Sequence, residues 1–300
     1  MSWNQNVLNE PPGDWGGPWT EKKLDAFVKY VKAYLTIMKQ YPKWKTIYFD
    51  GFAGSGSKEK EKEIKSDLYD ELEITKEEER IYKGAAERVL TLDDNLSFDY
   101  YYFIDKKESS LEKLQSKLNQ KVDLSKKKVS FKPGDANKWI VDLANALKSQ
   151  SYAALVFLDP FGMQIDWTSI EALKGTRSDV WILVPTGIIV NRLLDKAGEL
   201  KYTDKLQSFF GLSEQEIKAI FYKQEITSTL FGEIESISKI SKPIEKIAKI
   251  YVQRMKGIWK HVTEEPLRLD NRNGVPLFHF VFASNNTNGL KIANQIIKKL

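Results

Sequence analysis

Four acidic residues each close an apolar run in this 300-residue chain, and a glycine-rich turn follows the first of them. "TIYFDGFAGSG" puts Asp50 at the end of a β-branched, aromatic run and continues through Gly51, Phe52, Ala53, Gly54, Ser55 and Gly56. The glycines allow an approach of backbone to ligand that a Cβ would block. "YYFIDKKE" ends on Asp105, followed by Lys106, and "KPGDANKW" carries Asp135 and Ala136. "VFLDPFGMQIDW" delivers Asp159, Pro160 and Phe161. A carboxylate at a strand end accepts hydrogen bonds from hydroxyls or amines. Asp105 suits a ribose diol. Asp135 suits an exocyclic amine, with the N–H of Ala136 turned to a ring nitrogen. Pro160 lacks an N–H, so carbonyls stand beside Asp159, and a carboxylate with a carbonyl holds an amino group. Phe161 supplies a ring to stack on a flat parent ring. Each acid also has a plain reading as a turn residue or helix N-cap. Four of them, in order and at successive strand ends, weaken the plain reading jointly.

The elements that must position these acids are legible from periodicity. Leu24, Phe27, Val28, Val31, Tyr34, Leu35 and Met38 have helical spacing, with Thr20 as the expected N-cap and Pro42 beyond the end. "KTIYFD", "FDYYYFID", "KKVSFKP", "AALVFLD" and "SDVWILVP" read as strands, with helices expected at "SSLEKLQSKLNQ", "NKWIVDLANALKS" and "SIEALKG". Strands that are near-continuous apolar runs and alternate with helices predict an α/β domain with a parallel sheet covered on both faces. Residues 1–19, rich in Pro, Gly and Trp, are expected as an extended arm. A core over 20–189 carries a solvated charge run at 58–80. A helical insertion follows over 190–258, and residues 259–300 return a strand and helix to the core.

Phosphate-cradling motifs fit the glycine turn poorly. Gly51 and Gly56 have P-loop spacing, but Ser57 stands where a lysine must be. Gly54 and Gly56 begin a dinucleotide fingerprint, but Glu59 fills its third position. An NTP-using enzyme therefore stays as a lesser alternative.

The ordered acids resemble those of the class I S-adenosylmethionine-dependent methyltransferases. In that likeness the turn 51–56 wraps the amino-acid end of the cofactor with Asp50 near its ammonium, Asp105 is the ribose acid and Asp135 the adenine-side acid. "DPF" is similar to the [DNS]-P-P-[YFW] motif of methyltransferases that act on base amines, with one proline absent. "GPWTEKKLDAFVKYVKAYL", "YFDGFAGSGS", "FLDPFGMQIDW", "DVWILVPTGIIVNRLL" and "LFHFVFASNNTNGLKIANQIIKKL" together resemble the three-Cys-motif partner protein family (TcmP), from about Gly17 to the C-terminus. The resemblance implies a Rossmann-like class I methyltransferase fold with a helical insertion, S-adenosyl-L-methionine as cofactor, and a cysteine-motif, radical-SAM-like protein as partner. The likeness of "DPF" to the base-amine motif implies Asp159, Pro160 and Phe161 as the catalytic set and, with the net charge and the extra helices, a nucleic-acid base amine as acceptor; the partner-protein family resemblance names no substrate. A non-catalytic interaction protein on the same fold is the alternative.

Composition sets the outer bounds. Net charge is +5, which permits a polyanionic partner without demanding one. With no cysteine, thiolate metal sites, disulfides and cysteine nucleophiles are excluded, and with two histidines a histidine-rich metal site is disfavoured. His279 sits in an apolar strand and reads as a core residue, and His261 reads as a surface group. Asn191 and Arg192 follow the strand "DVWILVP" and are weaker substrate candidates. The arm tryptophans Trp3, Trp15 and Trp19 read as pins onto the domain. The lysine-rich "SKKKVSFK" lacks aromatic interleaving in sequence. No signal peptide or membrane span is expected, and the reading is cytoplasmic.

Overall fold

The computed structural model describes residues 18–54, 84–93, 95–160, 162–195, 198–229, 232–271 and 273–300. The arm residues Trp3 and Trp15, the charge run 58–80, and the site candidates Ser55, Gly56 and Phe161 lie outside the described residues.

Helix α1 (Pro18–Met38) leads into β1 (Lys45–Asp50), and α2 spans residues 84–90. The chain continues through β2 (Tyr100–Asp105), α3 (Glu108–Asn119), β3 (Val129–Pro133), α4 (Ala136–Leu147), β4 (Tyr152–Leu158), α5 (Trp167–Glu171) and β5 (Ser178–Val184). Strands β1 to β5 pair in parallel in the order β3-β2-β1-β4-β5. This is the doubly wound arrangement, and its order reverses between β1 and β4. A long strand β10 (Pro276–Ser284) pairs antiparallel with β5 and carries β8 (His261–Val262) and β9 (Leu267–Asp270) on its far side. The result is a mostly parallel α/β sheet of Rossmann-like form.

Alternation along the strands explains both covered faces. Phe27 of α1 packs on Tyr48 and Phe157, and Tyr30 on Trp181 and Phe282. Strand neighbours of opposite parity, such as Phe49, Val156 and Ile182, point to the other face and are equally buried. Helix α4 covers part of that face with Ile140, Leu143 and Leu147. Helix α10 (Thr287–Lys298) lies beside α1.

Three expectations need correcting. Thr20 lies inside helix α1 rather than capping it, and its hydroxyl is buried without a partner among the described residues. Trp19, counted with the arm, is helical and stacks on Phe278 at 5.1 Å. The segment 190–258 is not purely helical. It holds α6 (Asn191–Leu193), α7 (Thr203–Phe210), α8 (Glu214–Phe221) and α9 (Pro243–Met255), but also an antiparallel ribbon of β6 (Tyr222–Thr229) and β7 (Gly232–Lys239). "KQEITST" is rich in β-branched residues, the signal that favours a strand there. Phe209, Phe210, Phe221 and Tyr251 from this segment join the same core as the sheet.

Candidate functional site at the carboxyl edge of the sheet

The parallel register sets Asp50 opposite Phe103 and Phe157, and Asp105 opposite Pro133, so the ends of β1, β2, β3 and β4 share one edge. Asp50, Asp105, Asp135 and Asp159 are thereby brought to that edge. Asp50 and Asp159 flank the point where strand order reverses, the place where open α/β sheets hold ligands.

Asp50 is buried, with one carboxylate oxygen accepting from the Phe52 N–H at 3.2 Å and the other from the Tyr48 hydroxyl at 3.2 Å. Burial pushes its carboxyl up to about 7; the Phe52 hydrogen bond opposes the rise and the neighbouring charge of Asp159 adds to it. The turn that follows is welded to its neighbours, since Gly51 N–H donates to Phe157 O and Ala53 N–H to Ile104 O. Gly54 adopts φ +64°, the left-handed region that favours glycine.

Asp159 is buried and forms an ion pair with Lys23 of α1, Nζ to Oδ2 at 2.5 Å. Its Oδ1 is buried with no hydrogen-bond partner among the described residues. Lys23 is a site residue that the motif reading missed. A signal was present: Lys23, Phe27, Tyr30 and Tyr34 follow i, i+4, i+7, i+11 spacing, which puts the lysine on the buried stripe. A buried ammonium needs a counter-charge, and Asp159 supplies it. Pro160 is buried beside it.

Asp105 is half-buried, and its two oxygens accept the backbone N–H groups of Gly54 at 3.1 Å and Lys107 at 2.9 Å. Burial raises its carboxyl, and these two bonds work against the rise. A carboxylate has about four acceptor positions, so room remains for hydroxyl donors. Lys106 is exposed. Asp135 is exposed and caps α4, accepting from Asn137 N–H at 2.9 Å, with Ala136 opening the helix. Asn191 and Arg192 lie beyond β5 after a π-helical turn (Thr186–Val190), on the same edge. Arg192 is exposed, while Asn191 Oδ1 is buried without a partner among the described residues. The Asn191 carbonyl accepts from Lys239 of the ribbon at 2.7 Å.

Among the described residues the histidines are paired with hydroxyls. His279 is buried on β10, hydrogen-bonded to Thr186 at 2.8 Å, and burial depresses it to about 4, as befits a neutral core residue. His261 meets the Thr287 hydroxyl at 2.9 Å. Among the described residues no group of acidic, histidine or cysteine side chains is arranged to hold a metal ion, and no helix is long and apolar enough to cross a membrane.

The lysine-rich stretch before and within β3 is interleaved with rings after all, but across strands. Lys127 sits over Tyr101 at 5.9 Å, Lys128 over Tyr100 at 5.0 Å and Lys132 over Trp139 at 5.8 Å. Sequence alone hides this, because the rings belong to β2 and α4.

No family model matches the chain, and no curated protein matches it. Solved structures are similar at low identity. Protein LPL1258 from Legionella pneumophila, of family DUF519, aligns at 12% identity and TM-score 0.33, covering 88% of this chain and 98% of its own. Trm1 from Pyrococcus horikoshii, solved with S-adenosyl-L-methionine, aligns at 9% identity and TM-score 0.37, covering 100% of this chain and 76% of its own. The assignment to the doubly wound class rests on the strand order and connections described above.

Proposed function

We propose that this protein binds S-adenosylmethionine at the carboxyl edge of its sheet and transfers a methyl group to an amino group of a nucleic-acid base. The observation that carries the reading is the unpartnered, buried Oδ1 of Asp159 beside a second buried acid, Asp50, at the strand-order reversal. Buried polar atoms are ordinarily satisfied, and one that is not, at the strand-order reversal, is fitted for a ligand donor. The donor set suits this cofactor: acids for an ammonium and a ribose, and a turn with a left-handed glycine for close approach. When bound, S-adenosylmethionine supplies an electrophilic methyl group on a sulfonium.

The chain's own residues then divide the work. Asp50 faces the ammonium, Asp105 takes hydroxyls, and Asp135 with Ala136 meets the adenine side. Lys23 holds Asp159 in place through Oδ2, so that Oδ1 accepts an N–H of the acceptor amine and aligns its lone pair. An exocyclic amine needs no strong base before attack, and Asp159 Oδ1 receives the proton afterwards. Pro160 and Phe161 shape the acceptor side, and Asn191 and Arg192 are secondary contacts. Lys127, Lys128 and Lys132 support a polyanionic acceptor as cations placed to meet phosphates, with the half-buried rings of Tyr100 and Trp139 beside them. A cysteine-motif, radical-SAM-like partner rests on the sequence resemblance alone.

Titration calorimetry with S-adenosylmethionine tests the cofactor. Saturable binding that weakens about tenfold or more in Asp105→Ala is expected. Transfer of labelled methyl to a nucleic-acid pool should fall about 100-fold in Asp159→Asn while cofactor affinity is kept. Full activity in that variant would remove Asp159 from the chemistry. A second reading, a non-catalytic binding protein on this fold, is favoured by Lys23, which already occupies one oxygen of Asp159. Absence of any S-adenosylmethionine binding would decide for it.

A further inference from the structure

The chain's positive charge is unevenly placed. Residues 117–138 hold seven lysines against two aspartates, and that excess of five equals the net charge of the whole chain, so the remaining residues balance. These residues fold into the end of α3, a short 3-10 turn (Leu124–Lys126), the strand β3 and the start of α4. β3 closes one side of the sheet and, among the described residues, pairs with β2 alone. A concentrated excess of one sign is the electrostatic footprint of an oppositely charged partner.

The register decides where those cations stand. Tyr101 pairs with Val129 and Phe103 with Phe131 on the face that α3 covers. Residues of the opposite parity, Lys128, Ser130 and Lys132, therefore share the other face with Tyr100 and Tyr102. The ring contacts agree: Lys128 Nζ lies 5.0 Å over Tyr100, and Lys132 Nζ 5.8 Å over Trp139 of α4. Helix α4 leaves the β3 edge and packs over β2 and β4, so the face beside β3 stays half-open. Lys128 is exposed there, and Ser130, Lys132, Tyr100 and Tyr102 are half-buried. Alternate residues of a strand lie about 6.6 Å apart, so the three β3 residues form a straight row. The row rises toward the carboxyl edge, where Lys132 stands opposite Ile104, one residue before Asp105.

Hydroxyls stand beside the row. Tyr100 meets Tyr152 of β4 edge-on at 6.1 Å, and Tyr102 is near both, since its phenol is raised by burial and then by these two neighbours. None of the three hydroxyls has a hydrogen-bond partner among the described residues, so each keeps a donor and an acceptor position. Cations at a regular interval along one strand, with open hydroxyls alongside, fit a linear polyanion that carries its own donors and acceptors. We propose that this half-open face is the docking surface for an extended single strand of nucleic acid, with its phosphates over Lys128 and Lys132 and its sugars and base edges toward Tyr100, Tyr102 and Tyr152. The face stands on its own charge and geometry. Delivery of an acceptor base from it to Asp159 rests on the methyl-transfer reading.

Fluorescence anisotropy of the full chain with a labelled oligouridylate of about twelve nucleotides, measured without S-adenosylmethionine, tests the face. Binding should saturate, be about tenfold tighter than for an RNA duplex of equal length, and resist competition by phosphatidylserine vesicles. Lys128→Glu with Lys132→Glu should weaken it about tenfold or more, whereas Lys174→Glu with Lys260→Glu, the same charge change at exposed lysines elsewhere, should weaken it less than about threefold. Phenylalanine at positions 100, 102 and 152 together removes the hydroxyls, keeps the rings and should weaken binding about threefold or more. Near-ultraviolet dichroism checks that the variants fold. Failure to saturate, equal affinity for the duplex, displacement by vesicles, equal effects of the two lysine pairs, or affinity unmoved in the phenylalanine variant would each overturn the face. Oligonucleotide binding in a chain that takes no S-adenosylmethionine would keep the face and remove methyl transfer; cofactor binding without oligonucleotide binding would do the reverse.

Discussion

At the scale of single residues, the candidate site concentrates charge where water is scarce. The buried Lys23–Asp159 pair is costly to break and not costly to replace as a unit. Lys23→Met and Asp159→Leu singly should each destabilise by about 3–5 kcal/mol, and the double variant by clearly less than their sum, read from urea unfolding. Two buried titratable groups give opposite pH signatures. Asp50 has its folded value raised from 3.8 to about 7, so its contribution to stability is present below about pH 4 and lost as pH rises through 7. His279 has its folded value lowered from 6.5 to about 4, so the unfolded chain takes the proton first and stability falls as pH drops from 6.5 to 4, by up to about 3 kcal/mol. The two partly cancel between pH 4 and 6.5. Asp50→Asn should gain stability relative to wild type as pH rises from about 4 to 8, and His279→Asn should lose the acid-side decline. Unfolding free energies of both variants across that window check the signs.

At the scale of elements, caps and close approaches separate structural duties from ligand duties. Asp135 caps α4, and under the proposed function it also meets the adenine side of the cofactor. Asp135→Ser keeps a capping oxygen and should leave stability within about 0.5 kcal/mol, whereas Asp135→Ala costs about 1 kcal/mol. Equal loss of cofactor affinity in the two would assign the carboxylate to the ligand, and loss in Ala alone would assign it to the helix. The turn after β5 is held differently. A Cβ on Gly187 would stand 1.9 Å from the Pro276 carbonyl oxygen, a backbone atom that cannot step aside alone. Gly187→Ala should therefore cost about 2–3 kcal/mol and disturb the pairing of β10 with β5, seen as a lower urea midpoint. The parallel strands and the helices between them were readable beforehand, since periodicity is a local property. The ribbon β6–β7 was not. Its strands sit among helical signals, and each is stabilised by the other rather than by its own sequence.

At the scale of the whole molecule, the sheet order decides what meets what. The β3 edge gathers Lys127, Lys128 and Lys132 over rings from β2 and α4. Binding of a single-stranded RNA should fall with salt, and replacing the three lysines by alanine should reduce the slope of log K against log salt by about 2. An unchanged slope would move any nucleic-acid contact elsewhere on the surface.

The sequence by itself determined the class of the domain, the parallel alternation, and the presence of an acid at each of four strand ends, because hydrophobic period and strand-terminal residues are written locally. It also placed His279 in the core. Only the tertiary structure decided which of those acids are already engaged. Asp105 is held by two backbone N–H groups, Asp135 by its own helix, and Asp159 by a lysine 136 positions earlier in the chain. Counter-charges, cross-strand rings and cavities are set by contacts between segments distant in sequence. A buried charge takes its partner from whatever the packing brings near, so Lys23, and the pairing that leaves Asp159 with one open oxygen, became visible only once α1 lay across the sheet.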